Sequence, residues 1–176
     1  MIIRPTPIPS DMGKRLALEG EISSLLQKRA IYAAPMQGAR TGFMSTFFLV
    51  PKKEVGEWRP ILNLKPLNRF IRPQRFRMET LRTILESIVT PAWGASLDLR
   101  DAYLHVPIRP EDRKFLRFMY NSVMYEFATL PFGLSTLPRV FTRVVKTIGA
   151  ALQRRGVMIF MYLDDWLVVG PSRAAT

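Results

Sequence analysis

The sequence predicts an α+β fold, in which short strands pair as hairpins and helices are interspersed among them. Three observations carry this reading. Residues 14–31 and the stretch after Leu134 place apolar residues at helical spacing. Short runs rich in β-branched and aromatic residues lie between and after them. These runs come in neighbouring pairs separated by turn-forming residues, as hairpins require.

Each element follows from local chemistry. Residues 1–13 contain Pro5, Pro7 and Pro9 and read as an extended lead-in. Residues 14–31 carry Leu16, Ile22, Leu25, Leu26 and Arg29 at near-helical spacing. "STFFLVPKK" and "WRPILNL" then read as two strands joined through "EVGE". A four-residue loop there would set Lys53 opposite Trp58 and Lys52 opposite Arg59. Residues 78–89 suit a short helix, and "WGASLDL" a strand ending at an Asp. "FLRFMY" and "VMYEFATL" form a second hairpin turning at Asn121-Ser122. A long helix follows Leu134, capped by Ser135 or Thr136, with Pro138 in its first turn. Val140, Phe141, Val144, Ile148 and Leu152 form its expected apolar stripe, and Arg139, Arg143 and Lys146 the opposite face. That basic face is either a solvated surface or one that meets phosphates. "GVMIFMYL" and "WLVVG" form the last pair of strands.

Bulk properties narrow the partners. The 176 residues carry a formal charge of +12, from 26 Lys+Arg against 14 Asp+Glu. That excess points to polyanions, nucleic acid before anionic membrane. The absence of cysteine excludes disulfides and thiolate metal sites. No apolar run approaches the roughly 20 residues of a membrane-spanning helix. The start is too proline-rich for a signal peptide. An intracellular location, without secretion or a membrane partner, is the expectation.

Chemistry concentrates in "FMYLDDWLVVG", where Asp164 and Asp165 interrupt an apolar run. Burying a bare carboxylate costs several kcal/mol or more unless it is compensated. Asp98, 66 positions before Asp164 (164 − 98), also ends an apolar strand. Two such strand ends can converge on one face of a sheet, where a divalent cation supplies the compensation. Hard oxygen donors suit Mg²⁺. Two ions roughly 3.5–4 Å apart can clamp the attacking and leaving oxygens of phosphoryl transfer. On this reading Asp98 and Asp164 are shared ligands and Asp165 a weaker one. Taken alone, the Asp pair reads as a polar hairpin tip before it reads as a metal site. Across the first hairpin, Lys52 opposite Arg59 would repel unless an anion such as a nucleoside triphosphate lay between them.

Four segments together resemble the reverse transcriptases of retroelements, with wording similar to gypsy-like and DIRS-like enzymes. "SLDLRDAYLHVPI" is similar to the family's first palm motif and "LPFGLSTLPRVF" to its second. "YLDD" resembles its Tyr-x-Asp-Asp box, and "VPKKEVGEWRPILNLKPLN" its fingers hairpin. The resemblance covers about residues 14–170. It implies a fingers-and-palm polymerase, mainly fingers over 14–90 and mainly palm over 91–176, with a small antiparallel palm sheet backed by helices. It also implies RNA- or DNA-templated synthesis of DNA from deoxynucleoside triphosphates at a primer 3′-hydroxyl, with two Mg²⁺ and Mn²⁺ as a substitute. Asp98, Asp164 and Asp165 then match the catalytic, metal-binding carboxylates. Lys52 and Arg59 match triphosphate ligands, and Asp101 and Ala102 the backbone that holds the triphosphate. Tyr103 matches the aromatic gate against a ribose 2′-hydroxyl. Phe132 and Gly133 match the loop lining the nucleotide, and Tyr162 the contact to the primer end. His105 is left as structural.

Three departures stand out. Leu137 precedes Pro138 where the family usually has a small residue. Asn63 replaces a frequent acid. The chain reaches Thr176 where the family's primer grip, thumb, connection and RNase H would follow, so the thumb is expected to be absent. Two rival expectations follow: a catalytically silent retroelement remnant that folds and binds nucleic acid, and an RNA-dependent RNA polymerase. Tyr103 and the Tyr-Leu-Asp-Asp wording speak against the second.

Overall fold

The computed structural model describes residues 5–35, 41–51, 58–89 and 92–173. Its contacts group into two units that interleave along the chain. One comprises Met1–Arg72 with Tyr103–Ser135, the other Pro73–Ala102 with Thr136–Thr176. The contacts thus divide the chain at three places, after Arg72, Ala102 and Ser135.

In the first unit, helix α1 (Met12–Gln27) begins after Asp11, whose carboxylate accepts the Lys14 N–H at 2.8 Å. It ends earlier than the spacing suggested. Arg29 takes φ 55°, and the Ala30 N–H returns to the Leu25 carbonyl at 2.9 Å. Its buried face is Leu18, Ile22 and Leu25, while Leu16 is exposed. A four-stranded sheet runs β1-β7-β6-β2, from β1 (Ile31–Ala33), β7 (Val123–Phe127), β6 (Arg117–Tyr120) and β2 (Met44–Ser45). Asn121 and Ser122 join β6 to β7, both at positive φ (46° and 61°), as a type I′ hairpin turn demands.

Strands β3 (Phe47–Pro51) and β4 (Trp58–Leu62) form a separate antiparallel pair, followed by the short helix α2 (Lys65–Asn68). Phe118 lies at the centre of the core, stacked on Phe47 at 4.6 Å and on Tyr125 at 5.3 Å between ring centroids. The proline-rich start is more than a lead-in. Thr6 is buried; its N–H donates to the Met119 carbonyl at 2.8 Å, and its hydroxyl accepts the Phe47 N–H at 3.0 Å.

The second unit holds α3 (Leu81–Ser87), β5 (Trp93–Asp98), α4 (Leu137–Arg154), β8 (Met158–Tyr162) and β9 (Asp165–Gly170). Its sheet is antiparallel throughout, in the order β5-β9-β8, and α4 packs on β8. The buried face of α4 is Leu137, Phe141, Thr142, Val145 and Gly149; Val144 and Ile148 are exposed. The expected stripe is therefore rotated by about one residue, or roughly 100° of helix. Gly149 explains the choice. A Cβ there would run into the Met161 side chain of β8, so the helix turns its small residue to the sheet. Leu137, the departure noted before Pro138, is buried. Thr80 and Thr83 form a capping box at the start of α3, yet neither α3 nor β5 buries a residue. No described helix is long and apolar enough to cross a membrane.

Candidate active site

The three acids occupy one corner of the second unit's sheet. Asp98 ends β5 and Asp165 begins β9, and the two are direct cross-strand partners. Directly opposed residues point to the same face of a sheet. Asp165 is also paired with Tyr162 at the end of β8. Leu163 and Asp164 form the two-residue turn between β8 and β9. The Asp164 carbonyl accepts the Leu99 N–H at 3.0 Å, tying the turn to the end of β5. Leu163 takes φ 55°. A positive φ at the first turn residue alone is the pattern of a type II′ turn, where glycine is usual. The Trp166 indole N–H donates to the Leu163 carbonyl at 3.0 Å. On the outer edge of β8, the Met161 N–H donates to a Glu79 carboxylate oxygen at 2.9 Å.

Burial is not what these acids must overcome. Asp98 and Asp165 are exposed and Asp164 is half-buried, so water solvates them. The electrostatic cost is lateral: like charges set directly opposite each other in a sheet repel. Among the described residues no group of three or more His, Cys, Asp or Glu forms a ready metal cage. Mg²⁺ needs none, since it binds through one or two carboxylates and completes its shell with water and substrate phosphates. Hard oxygen donors facing each other at an open corner fit such an ion.

The remaining candidate residues are distributed as follows. In the second unit, Asp101 takes φ 54° and lies 4.0 Å from the Arg100 guanidinium, and Ala102 is buried. Tyr162 is exposed, as are Arg143 and Lys146 on α4, while Arg139 is half-buried. In the first unit, Tyr103 is 3% exposed and meets Phe132 edge-on at 4.7 Å between ring centroids; Phe132 itself is 59% exposed. Gly133 takes φ 88°.

Two findings change the sequence reading. Arg59 is exposed and pairs with Val50, and Trp58 pairs with Pro51. The hairpin register is thus shifted by two residues from the expected one. Arg59 therefore has Val50 as its partner, where Lys52 was expected. Lys52 lies outside the described residues. The second finding is Asn68, which the sequence reading passed over. Its side-chain N–H donates to the Gly133 carbonyl at 2.8 Å, and its Oδ1 accepts the Ser135 N–H at 2.9 Å. One amide therefore holds both Gly133 and Ser135, just after Phe132. An Asn at the end of a four-residue helix gives no local signal of such a contact 65 residues away.

Residues 50–176 match the family model described as reverse transcriptase (RNA-dependent DNA polymerase). The chain is 29% identical to the Transposon Tf2-3 polyprotein of Schizosaccharomyces pombe over 98% of its length, and 28% identical to the Tf2-7 polyprotein. It spans only 12% of either polyprotein. Among solved structures, native prototype foamy virus protease-reverse transcriptase superposes with a TM-score of 0.73 at 23% identity, covering 94% of this chain and 21% of that one. A foamy viral protease-reverse transcriptase in complex with dsDNA gives 0.72 at 18% identity, covering 95% and 36%. The fold and the family match lead to one conclusion: the chain belongs to the reverse transcriptase family.

Proposed function

We propose that this chain carries the nucleotide-adding fingers and palm of an RNA-directed DNA polymerase of retroelement type. The observation that carries the reading is the corner where Asp98 faces Asp165 beside the Asp164 turn. Asp98, Asp164 and Asp165 would hold the divalent cations, Asp98 and Asp165 from one sheet face. Bound Mg²⁺ would neutralise charge at the attacking and leaving oxygens of the phosphoryl transfer. The chain's own contribution is positioning, the main requirement for that chemistry. Arg59, with Lys52, would offset the triphosphate charge. Asp101 and Ala102 would present backbone amides to it. The buried ring of Tyr103, backed by Phe132, would form a wall against a 2′-hydroxyl. Tyr162, exposed beside Asp165, is available to a primer end, and Arg139, Arg143 and Lys146 to phosphates. The partners would be primed RNA or DNA template and deoxynucleoside triphosphates, inside the cell. In one solved relative the partner is dsDNA.

Primer extension with Mg²⁺ tests the reading, comparing the wild type with Asp98→Asn. Extension by the wild type and its loss in the variant is expected. Equal extension by both would remove the assignment. A wild type that binds primed template and extends nothing would mark the chain as a binding remnant.

A further inference from the structure

Two side chains outside the family motifs grip the hairpin that carries the acids. We infer that Glu79 and Trp166 are positioning residues, which fix where the Leu163–Asp164 turn stands; the catalytic part of this inference rests on the polymerase reading above. Among the described residues β8 is an edge strand, hydrogen-bonded in the sheet to β9 alone. Its outward N–H groups have no sheet partner among those residues, so a hairpin end at such an edge can sway or slip. Glu79 closes this gap at Met161, three residues before Asp164, with a bond of 2.9 Å in a partly buried setting. The carboxylate lies just before Thr80, the cap of α3, so α3 sets its position. On the other side, Trp166 is nine-tenths buried and its indole N–H ends on the Leu163 carbonyl at 3.0 Å. That carbonyl belongs to the one turn residue at positive φ. A strained residue persists only where its surroundings over-determine it. Glu79, Trp166 and the Leu99 N–H on Asp164 are three such restraints, and two of them are side chains that substitution can remove.

The test uses the isotope-labelled 176-residue protein and four forms: wild type, Glu79→Gln, Glu79→Met and Trp166→Phe. Gln keeps the acceptor, Met keeps the volume without it, and Phe keeps the ring without the N–H. In Glu79→Met, the Met161 amide should exchange with solvent about tenfold faster or more, and the Asp164 and Asp165 amide signals should shift. Glu79→Gln should retain the wild-type pattern, and Trp166→Phe should shift the turn signals alone. Titrated Mn²⁺ should broaden the Asp98 and Asp165 signals, with weaker binding in Glu79→Met and recovery in Glu79→Gln. In primer extension, Glu79→Met should lower kcat by about 10- to 100-fold with KM for nucleotide unchanged, as a displacement near 1 Å does. Unaltered Met161 exchange in Glu79→Met, or Asp164 and Asp165 signals that stay put while global stability falls, would overturn the inference. A wild type that neither binds Mn²⁺ nor extends primer would overturn the polymerase reading instead, and the exchange result would still decide whether Glu79 fixes the turn.

Discussion

Replacing Asp98 with Asn should stabilise the metal-free protein while removing most of its stabilisation by Mg²⁺. Asp98 and Asp165 are direct cross-strand partners and both are exposed. A like-charge pair in that geometry costs roughly 0.2–1 kcal/mol. Exposure screens it, which places the value near 0.5 kcal/mol. For a chain of this size, about 2–4 °C accompanies each kcal/mol, so melting should rise by about 1–2 °C in EDTA. Saturating Mg²⁺ acts in the opposite sense, and a ligand at 100 times its Kd adds about 2.7 kcal/mol to the form that binds it. The wild type should gain up to that amount and the variant much less, so their order of stability reverses with the metal. Urea denaturation in EDTA and in Mg²⁺ reads both numbers. Trp93 and Trp166, in β5 and β9, report on this sheet by fluorescence. A variant clearly less stable than wild type in EDTA would refute the repulsion. Equal Mg²⁺ shifts in the two proteins would refute the cation site.

Three further outcomes follow from other residues. Asn68→Ala loses two hydrogen bonds to the Gly133 loop, each worth about 1 kcal/mol; urea denaturation should show a loss of about 1–2 kcal/mol, with faster proteolysis at residues 131–135. Gly133→Ala and Gly20→Ala should have opposite signs. At Gly133 (φ 88°) the nearest atom to a new Cβ is the Leu62 carbonyl oxygen at 3.6 Å, so the cost is backbone strain of about 1–2 kcal/mol. Gly20 lies in α1 with nothing within 4 Å of a new Cβ, and alanine should gain about 0.5–1 kcal/mol there. The third concerns pH. Hydrogen bonds from Arg15 and then Tyr120 hold the Glu19 carboxyl below its usual range. A depressed carboxyl stabilises the fold above its unfolded pKa and loses that contribution as pH falls through the folded value. The stability difference between wild type and Glu19→Gln should therefore be full at neutral pH and shrink in acid. Burial and then the Glu19 bond push the Tyr120 phenol up. Its contribution is full below the unfolded phenol pKa and declines as pH rises through the folded one.

What the sequence revealed depended on whether the deciding contact was local. Asn121-Ser122 announced a hairpin because both residues tolerate positive φ, and both adopt it. The strand ending at Asp98 and the pair around Asp164 were legible for the same reason: apolar runs and turn residues lie side by side. The face of α4 was not. Val144 and Ile148 carry the apolar signal, but the position opposite Met161 needs a residue without a Cβ, and glycine has no hydrophobic signature. The register of β3 and β4 failed similarly. Turn residues suggest a short loop, whereas Phe47, stacked on Phe118, is paired with the equally buried Leu62, and that pair belongs to the register that sets Val50 opposite Arg59. Asn68 and Glu79 were invisible because their partners lie 65 and 82 residues away.

The energetics of the Asp164-Asp165 turn differ from those of a mere polar hairpin tip. A tip selected only for solubility and turn formation would place glycine, asparagine or aspartate at the first turn position. This one has Leu163 at φ 55°, a strain of order 1–3 kcal/mol. Such a tip would also avoid an acid directly across the sheet, yet Asp98 sits opposite Asp165. Both costs have the same sign, and each could be relieved by a single substitution. They are met by restraints drawn from separate places in the chain: Leu99 after β5, Glu79 before α3 and Trp166 within β9. Strain held from three directions beside a like-charge pair fits the proposed cation site better than a turn selected only for solvent exposure.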